Sequence, residues 1–366
     1  MDDEEHSEGA PRRLRLNCGT DPSCDGELSL PGPIALPIVD PNHFELISRA
    51  SVSLGSKPTE TSADDEKNLQ VVIQPSTGLA MHEGAGEIWH YTDSAGLIGI
   101  VGRNCLWATS MSSLNDSIEL SYGLNVLDQL LEEVEDSKNI DPRLKLYFVS
   151  LRKLAEATAG QRGLFVASAS LAENSLAQWR AYGGGQGHAV VLDSSAQLAV
   201  LTSVETLNRP DDMSPKWAKV LYDQHAQRNF LAECLGYIAT IFKCAHLASS
   251  GCEACRANAV VLAESLAYCK EPSFVEEREV RLVIQSPDDG AIQFRSSRFG
   301  ITPYLRLTGM GGGAGFSTTA FAKLPIRKVV VGPFDTRHSS AASIPLLLRV
   351  SEYAGVPVET SASSLR

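Results

Sequence analysis

Three short clusters in the sequence carry side chains suited to chemistry. The first is His90-Tyr91-Thr92, closing the strand-like run EIWHYT, with Ser110 and Asn115-Asp116 following the next strand-like run CLWATS. The second is Gln178-Trp179-Arg180-Ala181-Tyr182-Gly183, leading to Gly187-His188. The third is Glu276-Glu277-Arg278-Glu279-Val280-Arg281, opening the run EVRLVIQS. Strand alternation puts His90 and Thr92 on one face, and Glu279 and Arg281 on one face. Two hydrogen-bonding side chains facing one way at a strand end make a natural lip for a nucleotide cleft. Trp179 and Tyr182 lie one helical turn apart and can share a face. Each cluster also has a plain reading. His90 would be a satisfied strand-end or buried polar residue, the aromatic pair part of a core, and Asn115-Asp116 a helix cap. The charge run would be a solvated turn or an internal Glu279–Arg281 pair.

The elements that must position these residues can be read from pattern. EIWHYT, CLWATS, LFVASAS, GHAVVLDSS, WAKVLYD, EVRLVIQS, AIQFRSS, TPYLRLT, IRKVVVG and VPVETS have strand composition. A helix capped by Ser94 and stopped at Gly102 would bury Leu97, Ile98 and Val101. SIELSYGLNVLDQLLEEVEDS repeats leucines on one side, and Pro142 starts a second long helix. SLAQWRAYG is a short helix, two more run roughly over 225–249 and 254–270, and SIPLLLRVSEYAG is the last. This irregular order predicts an α+β fold with a mixed, largely antiparallel split sheet and flanking helices. Residues 1–85 read as an acidic, largely disordered extension, and 86–366 as one α+β domain with a helical insertion around 225–270.

Bulk properties narrow the function classes. The chain of 366 residues is 43% hydrophobic and 21% charged, with net charge -12. Residues 1–85 hold fifteen acids and six bases, about nine of the twelve excess charges. No strongly basic nucleic-acid surface is evident. No apolar run approaches a membrane span, and the acidic start is not a secretory signal peptide. The expected location is cytoplasmic, or another cell reached through a signal not readable in these terms. Cys252 and Cys255 form a lone CxxC with no second pair at zinc-site spacing, so buried small residues are the favoured reading and no metal is expected. No GxGxxG opens a helix after a strand. The run TGMGGGAGFSTT lacks the lysine of a phosphate loop and reads as a flexible loop. HExxH is absent, which leaves a metal hydrolase without support.

HYT, LWATS with SLND, SLAQWRAYG with GHAVVL, FVEEREVRLV, TPYLRL and LPIRKVVVGP occur in that order. Together they resemble a widespread bacterial family catalogued as a domain of unknown function, over roughly 87–366. That family in turn remotely resembles the ADP-ribosyltransferase superfamily. The likeness lies in a strand-borne His followed by Tyr or Thr, a helix, a short strand with a Ser, and a Glu heading a late strand. The resemblance implies an ADP-ribosyltransferase-like fold and NAD as substrate. It implies that Glu279 stabilises the oxocarbenium-like charge formed when the nicotinamide–ribose bond breaks. His90, with Tyr91, Thr92 and Ser110, would grip the nucleotide. Trp179 or Tyr182 would stack on nicotinamide, and Arg180 would meet the pyrophosphate. The acceptor would be a protein or a nucleic acid, in a bacterial toxin, effector or defence protein. The other reading is a non-catalytic module that senses a nucleotide or a partner.

Overall fold

The computed structural model describes residues 13–16, 26–29, 86–113, 117–161, 163–183, 187–201, 216–241, 252–285, 289–297, 300–310, 321–334 and 339–361. Asn115-Asp116, the glycine-rich run from Gly311 onward and most of residues 1–85 lie outside them, and so do the expectations placed there. The strands, in chain order, are β1 (Arg13–Leu16), β2 (Gly26–Ser29), β3 (Glu87–Thr92), β4 (Leu106–Ser110), β5 (Leu164–Ser170), β6 (His188–Asp193), β7 (Leu198–Val200), β8 (Ala218–Lys219), β9 (Glu279–Gln285), β10 (Gln293–Ser297), β11 (Gly300–Met310), β12 (Phe321–Ala322), β13 (Ile326–Val331) and β14 (Val358–Thr360). The helices are α1 (Ser94–Arg103), α2 (Ser117–Asp136), α3 (Pro142–Gln161), α4 (Leu176–Tyr182), α5 (Gln224–Ile241), α6 (Glu253–Leu266) and α7 (Ser339–Val350).

The fold is α+β, and the described chain divides into two compact units. One comprises Met1–Gly78, Leu124–Thr158 and Arg228–Ser265; the other comprises Leu79–Gly123, Ala159–Gln227 and Leu266–Arg366. The segment expected as a helical insertion falls largely in the first. In that unit α2 buries Leu124, Leu127, Leu130 and Val134, the three-and-four spacing of one helix face. Arg152 of α3 grips Asp128 of α2 with Nε and Nη2, each at 2.8 Å. Cys252 and Cys255 are fully buried, and the Cys255 amide donates to Cys252 Sγ at 3.4 Å, so the CxxC starts α6. β1 and β2 pair antiparallel.

The second unit holds a mixed, mostly antiparallel sheet that includes β3 to β14. Only β13–β14 pair parallel among the described strands. The path runs β10-β11-β4-β5-β3-β6-β13-β14, with β9 on the other side of β5 and β8 beyond it. β5 is the hinge of this layout. One side pairs with β9 along its whole length, from Leu164↔Gln285 to Ser170↔Glu279. Its other side meets β4 at Phe165 and Val166, and β3 only at Ser170. Between those two contacts the sheet divides into two arms.

One face of this sheet is largely apolar, with Ile88, Ala167, Ala169, Val190, Leu192, Val280, Leu282 and Leu305 in one core. Burying such a face is the main drive for the unit. α1 covers part of it with Leu97, Ile100 and Val101. The cap of α1 is Asp93 rather than Ser94: its backbone is extended and its carboxylate accepts from the Gly96 amide at 2.7 Å. The helix ends at Asn104, not Gly102. Asn104 takes the left-handed conformation (φ 51°), which Asn tolerates better than most residues. Its side chain donates to Thr308 Oγ1 at 3.2 Å and accepts from the Leu324 amide at 2.9 Å. Those two bonds tie the helix end to the β11 and β13 region.

Candidate functional site

The opposite face of the same sheet is polar at its centre. The β5–β9 register places Ser168 across from Arg281 and Ser170 across from Glu279, so all four share a face. Arg281 is almost fully buried. Its Nε and Nη2 clasp the two carboxylate oxygens of Glu279 at 2.7 and 2.8 Å. The same Nη2 reaches Glu119 Oε2 at 2.6 Å, and Nη1 donates to the Ala267 carbonyl at 2.6 Å. Lys270 Nζ lies 3.1 Å from Glu279, 3.0 Å from Glu119 and 2.6 Å from Glu277. Its ammonium also sits 5.0 Å from the Phe274 ring centroid. Three acids and two bases thus form one buried network, which carries a net charge of -1 when every group is ionised.

The electrostatics follow from this geometry. Burial alone would raise the Glu279 carboxyl, but Arg281 and Lys270, with a hydrogen bond from Ser168, hold it down to about 2. Burial would lower Lys270, yet Glu279 and Glu119 drive it upward. Glu277 goes the other way: burial raises it, against the pull of Lys270. Tyr222 accepts the Glu279 amide at 3.0 Å and is pushed up to about 12, first by burial. Glu279 is aimed by its predecessor, Arg278, which ends the 3-10 turn Pro272–Glu277 in the left-handed region (φ 43°). The Arg278 carbonyl accepts the Leu171 amide at 2.9 Å, which locks that turn to the end of β5.

His90 reaches this site from the division in the sheet. Its Nδ1 donates to the Ser168 carbonyl at 2.9 Å, at the stretch of β5 that neither β3 nor β4 pairs. That bond places the proton on Nδ1. Burial lowers the His90 pKa, against the raising effect of the Ser168 carbonyl, so the ring is held toward neutrality. His90 pairs with Val190, a residue of the apolar core, and so alternates toward that side. Trp89, paired with Ser170, belongs to the face that carries Glu279. His90 and Glu279 are therefore joined through Ser168, one at its carbonyl and one at its hydroxyl, from opposite faces of the sheet.

The other residues singled out in the sequence separate into distinct places. Tyr182 ends α4 half-exposed, and burial followed by Glu277 and Glu279 pushes its phenol up to about 12. Its phenol feels the charges of the network, whose direct aromatic contacts are Tyr222 at the Glu279 amide and Phe274 at Lys270. Trp179 of the same helix is 0% exposed, with its indole N–H on Asn174 Oδ1 at 3.1 Å and its ring edge-on to Tyr91 at 4.7 Å. It has no open face for nicotinamide, because it is fully buried with the backbones of Gly187 and Gly332 against its ring. Tyr91 is also structural. Its hydroxyl donates to the Ala172 carbonyl at 2.6 Å and accepts the Ser175 amide at 3.0 Å, which fixes the turn leading into α4. Thr92 packs against Gly96 at the start of α1, and Ser110 shares a hydrogen bond with Ser112 at 2.9 Å. Arg180 is exposed, and no acid pairs with it among the described residues.

Glu119, Lys270, Tyr222 and Ser168 were not singled out in the sequence. The one available signal was the alternation in EVRLV, which put Arg281 beside Glu279. Among the described residues, no group of three or more His, Cys, Asp or Glu side chains could hold a metal ion. No described helix is long and apolar enough to cross a membrane.

Comparison with known proteins bears on part of this site. No curated protein and no solved structure matches the chain. Residues 178–282 match a family described as "Protein of unknown function (DUF2971)", a stretch that begins at Gln178 in α4 and ends with Glu279, Val280, Arg281 and Leu282 in β9.

Proposed function

We propose that the chain is an NAD-consuming enzyme, an ADP-ribosyltransferase or glycohydrolase, with the active site at Glu279 and Tyr182. The observation that carries the reading is a carboxylate held ionised, with a pKa of about 2, at the head of a strand and beside a half-exposed aromatic ring. Cleavage of a nicotinamide–ribose bond builds positive charge on the ribose, and a fixed anion offsets it. Lys270 makes the longest of the contacts to Glu279, at 3.1 Å, and is the one a ribose hydroxyl would replace. Tyr182 would cover the nicotinamide, and Arg180, exposed on the same helix, would meet the pyrophosphate. His90 would act through Ser168 as a positioning residue. An ADP-ribosyltransferase-like arrangement of the divided sheet, a protein or nucleic-acid acceptor, and a role as a bacterial toxin, effector or defence protein belong to this proposal and rest on sequence resemblance.

The test is nicotinamide release from NAD by wild type, Glu279→Ala and His90→Ala, with tryptophan emission confirming the fold of each. Loss of release in folded Glu279→Ala is the expected result. Full release by that variant would sink the assignment.

One observation favours a second reading, a module that binds a nucleotide without turning it over. Both oxygens of Glu279 are already engaged by Arg281 and Lys270, and Trp179 is closed off. Thermal stabilisation by NAD without any nicotinamide release would select this reading.

A further inference from the structure

The segment that follows β8 is stitched to the head of β9. Ala218 and Lys219 pair with Arg281 and Val280, and the Val220 amide donates to the Glu279 carbonyl at 3.0 Å. The Leu221 amide then donates to the Tyr268 carbonyl at 2.8 Å, and the Leu221 carbonyl accepts the Lys270 amide at 3.1 Å. Gln227 is fully buried and ties the two segments again, with Nε2 donating to the carbonyls of Leu221 and Lys270, each at 2.7 Å. Tyr222 is thus carried on backbone fixed to both Glu279 and Lys270. Its phenol oxygen accepts the Glu279 amide at 3.0 Å.

A phenol oxygen that accepts an amide still has its own proton to give. Three other phenols of this unit give theirs to the protein: Tyr91 to the Ala172 carbonyl, Tyr122 to Gln227 Oε1 and Tyr353 to Asn104 Oδ1. Tyr222 differs, because no described residue accepts its proton. The side chain is half-buried. Burial, then the charges of Glu279 and Glu277, push the phenol up to about 12, so it stays a donor near neutral pH. The cations beside it are already committed. Arg281 spends Nε and Nη2 on Glu279 and Glu119, and Lys270 spends its ammonium on Glu119, Glu277 and Glu279.

A carboxylate only accepts, and a phenol whose oxygen is already engaged is left with its donor. Side by side, the two match a hydroxyl, which gives one hydrogen bond and takes one. A carbonyl would meet only the phenol, and an ammonium only the carboxylate. A phenol bonded to the Glu279 amide also lies within one side chain's length of the Glu279 carboxylate. We propose that Tyr222 is a substrate-contacting residue, which with Glu279 reads one hydroxyl of the nicotinamide ribose. The hydroxyl donates to Glu279 in place of Lys270 and accepts from Tyr222. Lys270 can leave at small cost, since it keeps Glu277 at 2.6 Å, Glu119 at 3.0 Å and the Phe274 ring at 5.0 Å. This inference rests on the reading of Glu279 as the carboxylate of nicotinamide cleavage, and adds the residue that would select ribose over a deoxyribose.

Tyr222→Phe tests it with three substrates: NAD, and NAD lacking either the 2′- or the 3′-hydroxyl of the nicotinamide ribose. Nicotinamide release gives kcat/KM, calorimetry gives affinity where a substrate binds without turnover, and unchanged tryptophan emission shows that the variant keeps its fold. The expected result is a loss of about tenfold on NAD and under about twofold on the analogue that lacks the hydroxyl read by Tyr222. An equal loss on all three substrates would leave Tyr222 only as the anchor of the Glu279 amide and overturn the contact. Unimpaired release or binding of NAD by the variant would overturn this inference alone. Neither release nor binding of NAD by wild type would overturn it together with the reading on which it rests.

Discussion

Glu279→Gln turns the charged network into a measurement. The Glu279 carboxyl is displaced from an ordinary value near 4.5 to about 2. At about 1.4 kcal/mol per unit, the ionised form is favoured in the folded state by roughly 3 kcal/mol. The folded pKa is depressed, so this stabilisation is complete above about pH 4.5 and drains away as pH falls toward 2. Glutamine mimics the protonated acid. The variant should therefore be about 3 kcal/mol less stable at pH 7, and its curve should meet that of wild type near pH 2. Glu277 works with the opposite sign, since its folded pKa is raised; its contribution appears above 4.5 as pH falls, outside this window. Urea unfolding at a series of pH values, read by tryptophan emission, gives the curves. All four tryptophans, Trp89, Trp107, Trp179 and Trp217, lie in the unit that holds the network, so the signal reports that unit. A gap under about 1 kcal/mol at pH 7, or parallel curves between pH 4.5 and 2, would refute the reasoning, because a pair that costs as much to desolvate as it gains predicts that result.

The remaining predictions concern the supports of the site. His90 has a lowered pKa in the folded chain, so its contribution is present above the ordinary value near 6.5 and is lost as pH falls below it; His90→Asn should flatten the wild-type stability curve on the acid side of 6.5 in the same urea series. Tyr91→Phe removes the donor to Ala172 and leaves the Ser175 amide unmet, and should cost about 1–3 kcal/mol by urea unfolding. Gly332→Ala would place a Cβ 2.7 Å from the Gly187 carbonyl oxygen and 3.0 Å from the Trp179 ring, and should cost about 1–3 kcal/mol with a shift in tryptophan emission. Unchanged thermal stability in either variant would show that the Trp179 enclosure is looser than its geometry.

What the sequence could reveal depended on how local the cause was. EVRLVIQ, IRKVVV and LFVASAS formed strands because runs of branched and apolar side chains suit a sheet buried on one or both faces. The ends of α1 were legible only to within two residues. Asp93 and Ser94 can both cap, and only the extended backbone at Asp93 decides between them. Gly102 and Asn104 can both stop a helix, and the long-range bonds of the Asn104 side chain select it. The Trp179–Tyr182 spacing suggested a shared face, but Trp179 is fully buried with Gly187 and the distant Gly332 against its ring, and Tyr182 ends the helix half-exposed. The charge run looked like a solvated turn because two of the partners that bury it, Glu119 and Lys270, come from outside it. The pairing of His90 with Glu279 was beyond sequence reasoning for a sharper cause. Alternation says which residues of one strand share a face, but the relation between strands requires their register. Here Trp89 faces with Ser170, and Ser170 with Glu279, which turns His90 to the other side. The two meet only because β5 leaves Ser168 unpaired between β3 and β4, so that one residue presents its carbonyl to the imidazole and its hydroxyl to the carboxylate.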